Sequence, residues 1–178
     1  MKLILLEGSP ASGKNALGGK LAEAFRTQGG KSVLLDHDTY VEELCPNWIW
    51  LSQQQKEKDL LKARLNHLND INKYLVERFV VLAIGGIWLT NDDVRKYTGK
   101  LEVKTPVFLF HLNAPLIIRK QREQQRGHNP VIDLDKEQKE RDKISSWPGY
   151  IYPNINTPEI DAINLLRLIN DGKGLVFY

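Results

Sequence analysis

Eight residues near the amino terminus decide the fold, and in chain order they are Gly8, Ser9, Pro10, Ala11, Ser12, Gly13, Lys14 and Asn15. They fit the pattern G-x-x-x-x-G-K and depart from the usual motif only at the last position, where Ser or Thr is expected. Glycines let the backbone turn so that successive N–H groups point at phosphate oxygens, and the helix starting at Lys14 adds its positive dipole end. The stretch therefore predicts a loop that holds a polyphosphate, with Lys14 as a mobile cation for the β- and γ-phosphates.

The flanking sequence predicts an α/β protein. An apolar run, Leu3–Leu6, precedes the loop as a short buried strand, and a helix from Lys14 to about Thr27 follows it. Strand-like and helix-like runs alternate along the rest of the chain, which is typical of a parallel sheet covered by helices. The further expected strands are Val33–Leu35, Phe79–Ile84, Val107–Leu112 and a weaker one between Tyr150 and Ile155. The tail Leu175–Tyr178 fits an edge strand or a packed coil equally well.

A long helix is expected from Ser52 onward, because Ser52 and Gln55 have the spacing of a capping box. Its apolar stripe consists of Leu61, Leu65, Leu68, Ile71 and Leu75. The stripe lasts only two heptads, so we expect a core-facing crossover helix and not a coiled coil.

Two carboxylates follow the second expected strand. Asp36 and Asp38 lie two residues apart, and on an extended chain both would face the same side. One could hold Mg²⁺ and the other could accept a proton from an attacking hydroxyl. The third strand ends in Gly85 and Gly86 and has no acidic residue, which makes Asp36 the better candidate for the metal. A solvated turn is the alternative, since Asp is common in turns.

Gly85 and Gly86 would let a substrate lie against bare backbone N–H groups, although a tight turn explains them equally well. Asn15 could reach a metal through its amide oxygen, as a neutral and bulkier ligand than a hydroxyl. Weakened metal binding, or nucleotide binding with slow turnover, therefore stays open.

Three arginines, Arg119, Arg122 and Arg126, are spaced three and four residues apart on one predicted helical face. Arginine can stabilise the charge that spreads over a phosphoryl group during transfer, and a solvated basic face is the alternative for each of them. Gly127 and Pro130 just beyond predict a mobile loop that closes over the nucleotide.

Composition bounds the remaining possibilities. The chain has 178 residues, a net charge of +3 and a single cysteine, Cys45. This length suits one domain, residues 1–178, with a lid around 120–140. The small charge does not favour a nucleic-acid groove. The lone cysteine, the absence of a signal-peptide core and the lack of a membrane-length apolar run predict a cytoplasmic protein, of open oligomeric state.

These motifs together resemble those of the shikimate kinase-like group of small P-loop kinases, which includes gluconate kinase. The matching segments are Gly8–Asn15, Asp36–Glu43, Val81–Leu89, Leu112–Arg119, Arg126 and Thr157–Glu159. The resemblance implies a three-layer P-loop NTPase fold with a five-stranded parallel sheet in the order 2-3-1-4-5. It implies ATP and Mg²⁺ as cofactors and transfer of the γ-phosphoryl group to a hydroxyl. It also implies Asp38 as base, Asp36 as metal partner, Arg119 and Pro158 on either side of adenine, and Arg126 as the lid arginine.

The chain departs from that group between Asp38 and the third strand. It lacks the F-R segment that serves a carboxylate substrate, and it carries Trp48 and Trp50 there, which could stack on a flat substrate or simply pack. Arg141 stands roughly where a substrate-binding arginine is expected. We therefore expect an ATP-dependent kinase of a small molecule other than shikimate. A nucleoside or nucleotide kinase and a nucleotide-binding regulatory protein with little turnover are the alternatives.

Overall fold

The computed structural model describes residues 1–126 and 132–177. Its strands are β1 (Lys2–Gly8), β2 (Ser32–Asp36), β3 (Val80–Ile84), β4 (Val107–Leu112), β5 (Tyr150–Tyr152) and β6 (Leu175–Phe177). Its helices are α1 (Lys14–Thr27), α2 (His37–Leu44), α3 (Gln53–Val76), α4 (Asn91–Thr98), α5 (Leu116–Gln125), α6 (Leu134–Arg141) and α7 (Pro158–Asn170), with a short 3₁₀ turn at Pro46–Trp48. The predicted mobile loop at Gly127 and Pro130 lies outside the described residues, and so does Tyr178.

The sheet confirms the expected topology. Strands β1 to β5 are parallel in the order 2-3-1-4-5, and β6 adds an antiparallel partner to β4. The tail is therefore a strand over Leu175–Phe177. In the register, Ile84 lies opposite both Leu6 and Asp36, and Gly8 lies opposite Leu112. The carboxyl ends of four strands thus meet along one edge, where ligands bind in open parallel sheets.

Helices cover both faces of the sheet, which gives three layers. On one face, Ile4 and Leu6 pack with residues of α1 and α7, and on the other face Leu3 and Leu5 pack with residues of α3 and α4. Because β1 is buried on both sides, its apolar run is continuous and does not alternate. No helix in the described ranges is both long and apolar enough to cross a bilayer.

The first half of α3 does not face the core in the way that the sequence predicts. The helix begins as expected, with the Ser52 side chain accepting a hydrogen bond from the Gln55 amide at 3.1 Å. The residues Leu68, Ile71 and Leu75 are buried, whereas Leu61 and Leu65 are exposed. Between Gln53 and His67 the buried residues are Asp59, Ala63 and His67. The expected stripe was therefore wrong there, because only the second half of α3 packs against the apolar sheet.

His67 joins α3 to the end of β2. Its Nε2 lies 3.3 Å from the Leu35 carbonyl oxygen, and its ring centroid lies 5.2 Å from that of Tyr40 and 5.8 Å from that of His37. Burial in this aromatic environment lowers the pKa of His67 to about 4 from 6.5. The folded protein therefore holds His67 neutral across a pH range in which the unfolded chain protonates it.

This difference predicts a loss of stability in acid. The contribution of His67 is fully present above about pH 6.5 and is lost as the pH falls toward 4, by at most about 3 kcal/mol, because the unfolded state takes up the proton first. The variant His67→Gln can still donate to the Leu35 carbonyl but does not titrate. Urea unfolding between pH 7.5 and 4.5 should therefore give a flatter stability curve for this variant than for the wild type. Carboxylates titrate alike in both proteins, so parallel curves would contradict the assignment.

Candidate functional site

The loop between β1 and α1 has the backbone geometry of a phosphate cradle. Ala11 and Gly13 both have positive φ values, 58° and 93°. The amide of Ser12, between them, donates to the Ser9 carbonyl at 3.1 Å. Alternation of such conformations makes a concave nest of main-chain N–H groups. Helix α1 begins at Lys14 without a side-chain cap, which leaves its first-turn amides to another acceptor.

The glycine at the start of the loop is required by close packing. A Cβ atom at Gly8 would lie 2.6 Å from the Ser12 hydroxyl oxygen and 3.0 Å from the Leu112 carbonyl oxygen. Real Cβ atoms essentially never approach as closely as the first distance, and the second is tighter than most real Cβ contacts, so the absence of a side chain at Gly8 lets the loop close against the end of β4.

Lys14 lies against the loop that it follows. Its ammonium group donates to the carbonyl oxygens of Gly8 at 2.7 Å and Ser9 at 3.2 Å. Burial lowers the pKa of Lys14, and the charges of Glu7 and Asp38 partly offset that effect. Lys14 thus lies near both the loop and the carboxylates.

Asn15 connects the loop to the acidic pair. Its amide nitrogen donates to Asp36 Oδ2 at 2.6 Å, while Asp36 Oδ1 accepts from the Asp38 amide at 3.1 Å. Asp36 is thus the N-cap of α2, and Asp38 lies in the first helical turn. The expectation of an extended chain across this pair was wrong, since the helix begins at His37. The N-cap geometry nevertheless keeps both carboxylates at the same edge of the sheet.

Gly85 and Gly86 differ in what they approach. A Cβ atom at Gly85, where φ is 79°, would lie 3.2 Å from Asp36 Oδ1 and 3.4 Å from Asp38 Oδ1, so this backbone belongs to the acidic site. A Cβ atom at Gly86 would lie 2.3 Å from the ring of Trp88, which is 2% exposed. The space beside Gly86 is therefore filled by an indole and is not open to a substrate.

The electrostatics of Asp38 suit a base. Burial and the neighbouring charge of Asp36 raise the pKa of Asp38, and Lys14 opposes the rise. A carboxylate whose pKa moves toward neutrality accepts a proton more readily.

Mg²⁺ fits the residues of this site only if phosphates and water complete its coordination. The described residues contain no group of three or more His, Cys, Asp or Glu side chains that could hold a metal. The available ligands are Asp36 and the amide oxygen of Asn15, whose nitrogen faces Asp36. Mg²⁺ is commonly bound by one or two carboxylates together with phosphates and water, so the arrangement is suitable once a nucleotide is present.

The arginines of α5 have different surroundings. Arg119 is 1% exposed, and it donates to Glu137 Oε2 at 2.7 Å and to Gln138. Arg122 donates instead to the Ser12 carbonyl at 2.9 Å and to the Asn154 carbonyl at 3.4 Å. The structure therefore brings Arg122 to the phosphate loop, whereas the guanidinium of Arg119 is buried in contacts with α6 and has no open face for adenine.

Arg126 and Pro158 lie at the end of α5 and the start of α7, respectively. Arg126 follows α5 and pairs with Glu123 at 3.2 Å. Pro158 is the first residue of α7, whose next residue, Glu159, pairs with Lys20 of α1 at 3.6 Å. The connection before α7 contacts the loop directly, because the Asn154 amide donates to the Ser12 carbonyl at 2.5 Å.

Sequence reasoning missed Glu7 and His111, which form a buried charged group beside the loop together with Arg141, the residue expected near a substrate-binding position. Arg141 Nη2 donates to Glu7 Oε1 at 2.6 Å, and His111 Nδ1 lies 3.0 Å from Glu7 Oε2. Burial alone would raise the pKa of Glu7, but the His111 hydrogen bond and the Arg141 charge outweigh it and lower the pKa. The available signal was one charged residue at the end of an apolar strand. Arg141 also pairs with Glu137 at 2.7 Å, so two carboxylates neutralise it.

A cavity of about 270 Å³ adjoins the loop at Ser9. Its wall includes Asn113 at the end of β4, Gln138 and Arg141 of α6, and Trp147. The cavity has a largely polar wall with one indole, and its volume is sufficient for part of a ligand on the α6 side of the loop.

No protein-family model matches this chain, and no relative is found among curated protein sequences. Solved structures do resemble it. Shikimate kinase from Acinetobacter baumannii, in complex with shikimate, has a TM-score of 0.64 at 23% identity, covering 97% of this chain and 95% of that chain. Shikimate kinase from Aquifex aeolicus has a TM-score of 0.60 at 16% identity, with 96% and 97% covered. APS kinase from Mycobacterium tuberculosis, in complex with AMPPNP and APS, has a TM-score of 0.59 at 14% identity, with 95% and 97% covered. At these identities the likeness establishes the architecture, and the chain has the fold of the small P-loop kinases.

Proposed function

We propose that this protein is an ATP-dependent kinase that transfers the γ-phosphoryl group to a hydroxyl of a small molecule. The hydrogen bond between Asn15 and Asp36 is the observation that carries the proposal. It joins the phosphate loop to the acidic pair, so an anion cradle, a cation and a base with a raised pKa share one site. If Asp36 and Asp38 merely formed a solvated turn, or Gly8–Asn15 merely a glycine-rich turn, these groups would have no reason to lie together at one site.

The nucleotide is assigned to the loop side of the site. The phosphates of ATP lie on Gly8–Asn15, with Lys14 at the β- and γ-phosphates. Adenine lies between an arginine of α5 and Pro158, and the burial of Arg119 in contacts with α6 favours Arg122 for that position. ATP supplies the phosphoryl group, and Mg²⁺ held by Asp36 and Asn15 would neutralise phosphate charge when bound.

The acceptor is assigned to the side formed by Asp38 and the Gly85 backbone. Its hydroxyl oxygen forms the new bond to the γ-phosphorus as the bond from that phosphorus to the β–γ bridging oxygen breaks, which releases ADP. The proton of the hydroxyl passes to Asp38. Lys14, together with Arg126 as the lid arginine, offsets the negative charge on the moving group.

Removal of the base should separate binding from transfer. The variant Asp38→Asn should keep its affinity for an ATP analogue within a few-fold, while the rate of phosphoryl transfer falls by about 10²–10⁴-fold, because the amide cannot accept the proton. The measurement is ADP release with phosphorus NMR of the products, over a panel of sugars, polyols, cyclic alcohols and nucleosides. Asp92→Asn, which changes an exposed carboxylate of α4, is the matched control. Equal rates for Asp38→Asn and the wild type would exclude Asp38 as the base.

The Asn15 contact also favours a second candidate, a nucleotide-binding regulatory protein with little turnover. Asn15 occupies one oxygen of Asp36, which a metal would otherwise use. If this contact limits catalysis, Asn15→Ser should raise the rate of ATP turnover at saturating Mg²⁺ and lower the Mg²⁺ concentration required for half-maximal rate. A kinase adapted to Asn15 should instead lose activity in Asn15→Ser, so steady-state Mg²⁺ titrations of the two proteins distinguish the candidates.

A further inference from the structure

One face of α2 continues from the proposed base to an aromatic side chain. Asp38 and Glu42 are four residues apart, so they lie on the same exposed face of the helix. The indole nitrogen of Trp48 donates to Glu42 Oε1 at 3.4 Å. Glu42 thus lies one helical turn from Asp38, and the Trp48 indole lies beyond Glu42, on the side of α2 that carries the base.

The backbone at Trp48 is held in an unfavourable conformation. Asn47 and Trp48 have φ values of 64° and 58°, in the left-handed region that non-glycine residues rarely enter. Asn tolerates this region better than most residues, but a bulky side chain such as Trp does not. Strained conformations of this kind concentrate at ligand clamps and active sites.

Trp50 supports the ring of Trp48 from the side. The two indoles are 6.0 Å apart between centroids at an angle of 87°, which is an edge-to-face contact. Trp50 is itself held by a hydrogen bond from its indole nitrogen to Asp59 Oδ2 at 3.2 Å and by Lys56 above its ring at 5.3 Å. Trp48 is thus fixed in place although 40% of its surface is exposed. Trp88, in contrast, is 2% exposed and acts as a core residue.

The charges on this side of the site disfavour an anion. The end of β2 and α2 carry the carboxylates Asp36, Asp38, Glu42 and Glu43. Arg141 is paired with Glu7 and Glu137 and offers no net charge, while Lys14 is assigned to the phosphates. Arg64 of α3 is close enough to His37, the neighbour of Asp38, for its charge to lower the pKa of His37. Arg64 and Lys56, which lies above the Trp50 ring, stand against these four carboxylates, so the acceptor side has a net negative charge.

We propose that Trp48 recognises the acceptor, and that the acceptor is a hydroxyl compound with a flat ring and no negative charge. The ring stacks on the exposed face of Trp48, and the adjacent carboxylates tolerate a neutral or cationic ring but repel an anionic one. Nucleosides and aromatic amino alcohols belong to this class. The inference rests on the proposed kinase function for the direction of the hydroxyl toward Asp38, but recognition of the ring is separable from transfer.

Three probes test the ring and the charge: 4-(aminomethyl)benzyl alcohol, its saturated analogue 4-(aminomethyl)cyclohexylmethanol, and 4-(hydroxymethyl)benzoate. Dissociation constants come from ligand-observed NMR on the full chain, with a non-hydrolysable ATP analogue occupying the nucleotide site. The aromatic amine should bind about tenfold more tightly than its saturated analogue, and more tightly than the benzoate. Trp48→Leu should abolish the preference for the flat ring, and Trp48→Phe should retain most of it. Ile49→Ala, an adjacent exposed residue, should leave it unchanged.

Equal binding of the flat and saturated probes to the wild type would overturn the proposal, and so would failure of all three probes to bind. A ring preference that survives in Trp48→Leu would also overturn it, provided that circular dichroism shows both Trp48 variants folded. Should either variant fail to fold, intermolecular NOEs between the aromatic probe and the Trp48 ring of the wild type decide the outcome, and their absence would overturn the proposal. A ring preference without affinity for the ATP analogue would contradict the kinase and leave recognition by Trp48 intact.

Discussion

The turn from β1 into α1 places every other part of the site. Left-handed backbone angles at Ala11 and Gly13, and a glycine at position 8 that packs against β4, make the chain reverse in a few residues. The first amides of α1 are thereby presented at the sheet edge without a capping side chain. Lys14 and Asn15 then follow at the start of the helix, where one reaches the loop carbonyls and the other reaches Asp36. The proposed catalytic groups are close together because this turn is tight.

Much of this arrangement follows from local sequence. The loop motif, the apolar strands and the alternation of elements are short-range patterns, and they correctly predict a parallel sheet covered by helices. The order 2-3-1-4-5 was implied by the resemblance to the small P-loop kinases, and the sheet confirms it. The pairing of Asp36 with Asp38 was anticipated for the wrong reason, since α2 starts one residue after Asp36. An N-cap and an extended strand both bring residues i and i+2 near each other, so the conclusion survived a mistaken backbone conformation.

The remaining features depend on contacts between residues distant in the chain. Spacing alone places Arg119, Arg122 and Arg126 on one helical face, but the carboxylate of Glu137 on α6 takes up Arg119, and this leaves Arg122 at the loop. Gly86 likewise resembles a substrate-facing glycine until the indole of Trp88 is found beside it. Leu61 and Leu65 are exposed because this part of α3 buries the polar residues Asp59 and His67 instead, and the spacing of apolar residues does not reveal this. Tertiary pairing decided each of these positions.

The central claim is that main-chain amides of Gly8–Asn15, together with Lys14, hold the polyphosphate of a nucleotide. Titration of ¹⁵N-labelled protein with Mg²⁺ and AMPPNP tests it most directly, because each loop amide reports separately. The account predicts saturable shifts that are largest at Gly13, Lys14 and Asn15, and a dissociation constant raised at least about tenfold in Lys14→Ala but not in Lys20→Ala, since a hydrogen bond to a charged group is lost only in the first. Shifts confined to other parts of the chain, with equal affinity in both variants, would contradict it.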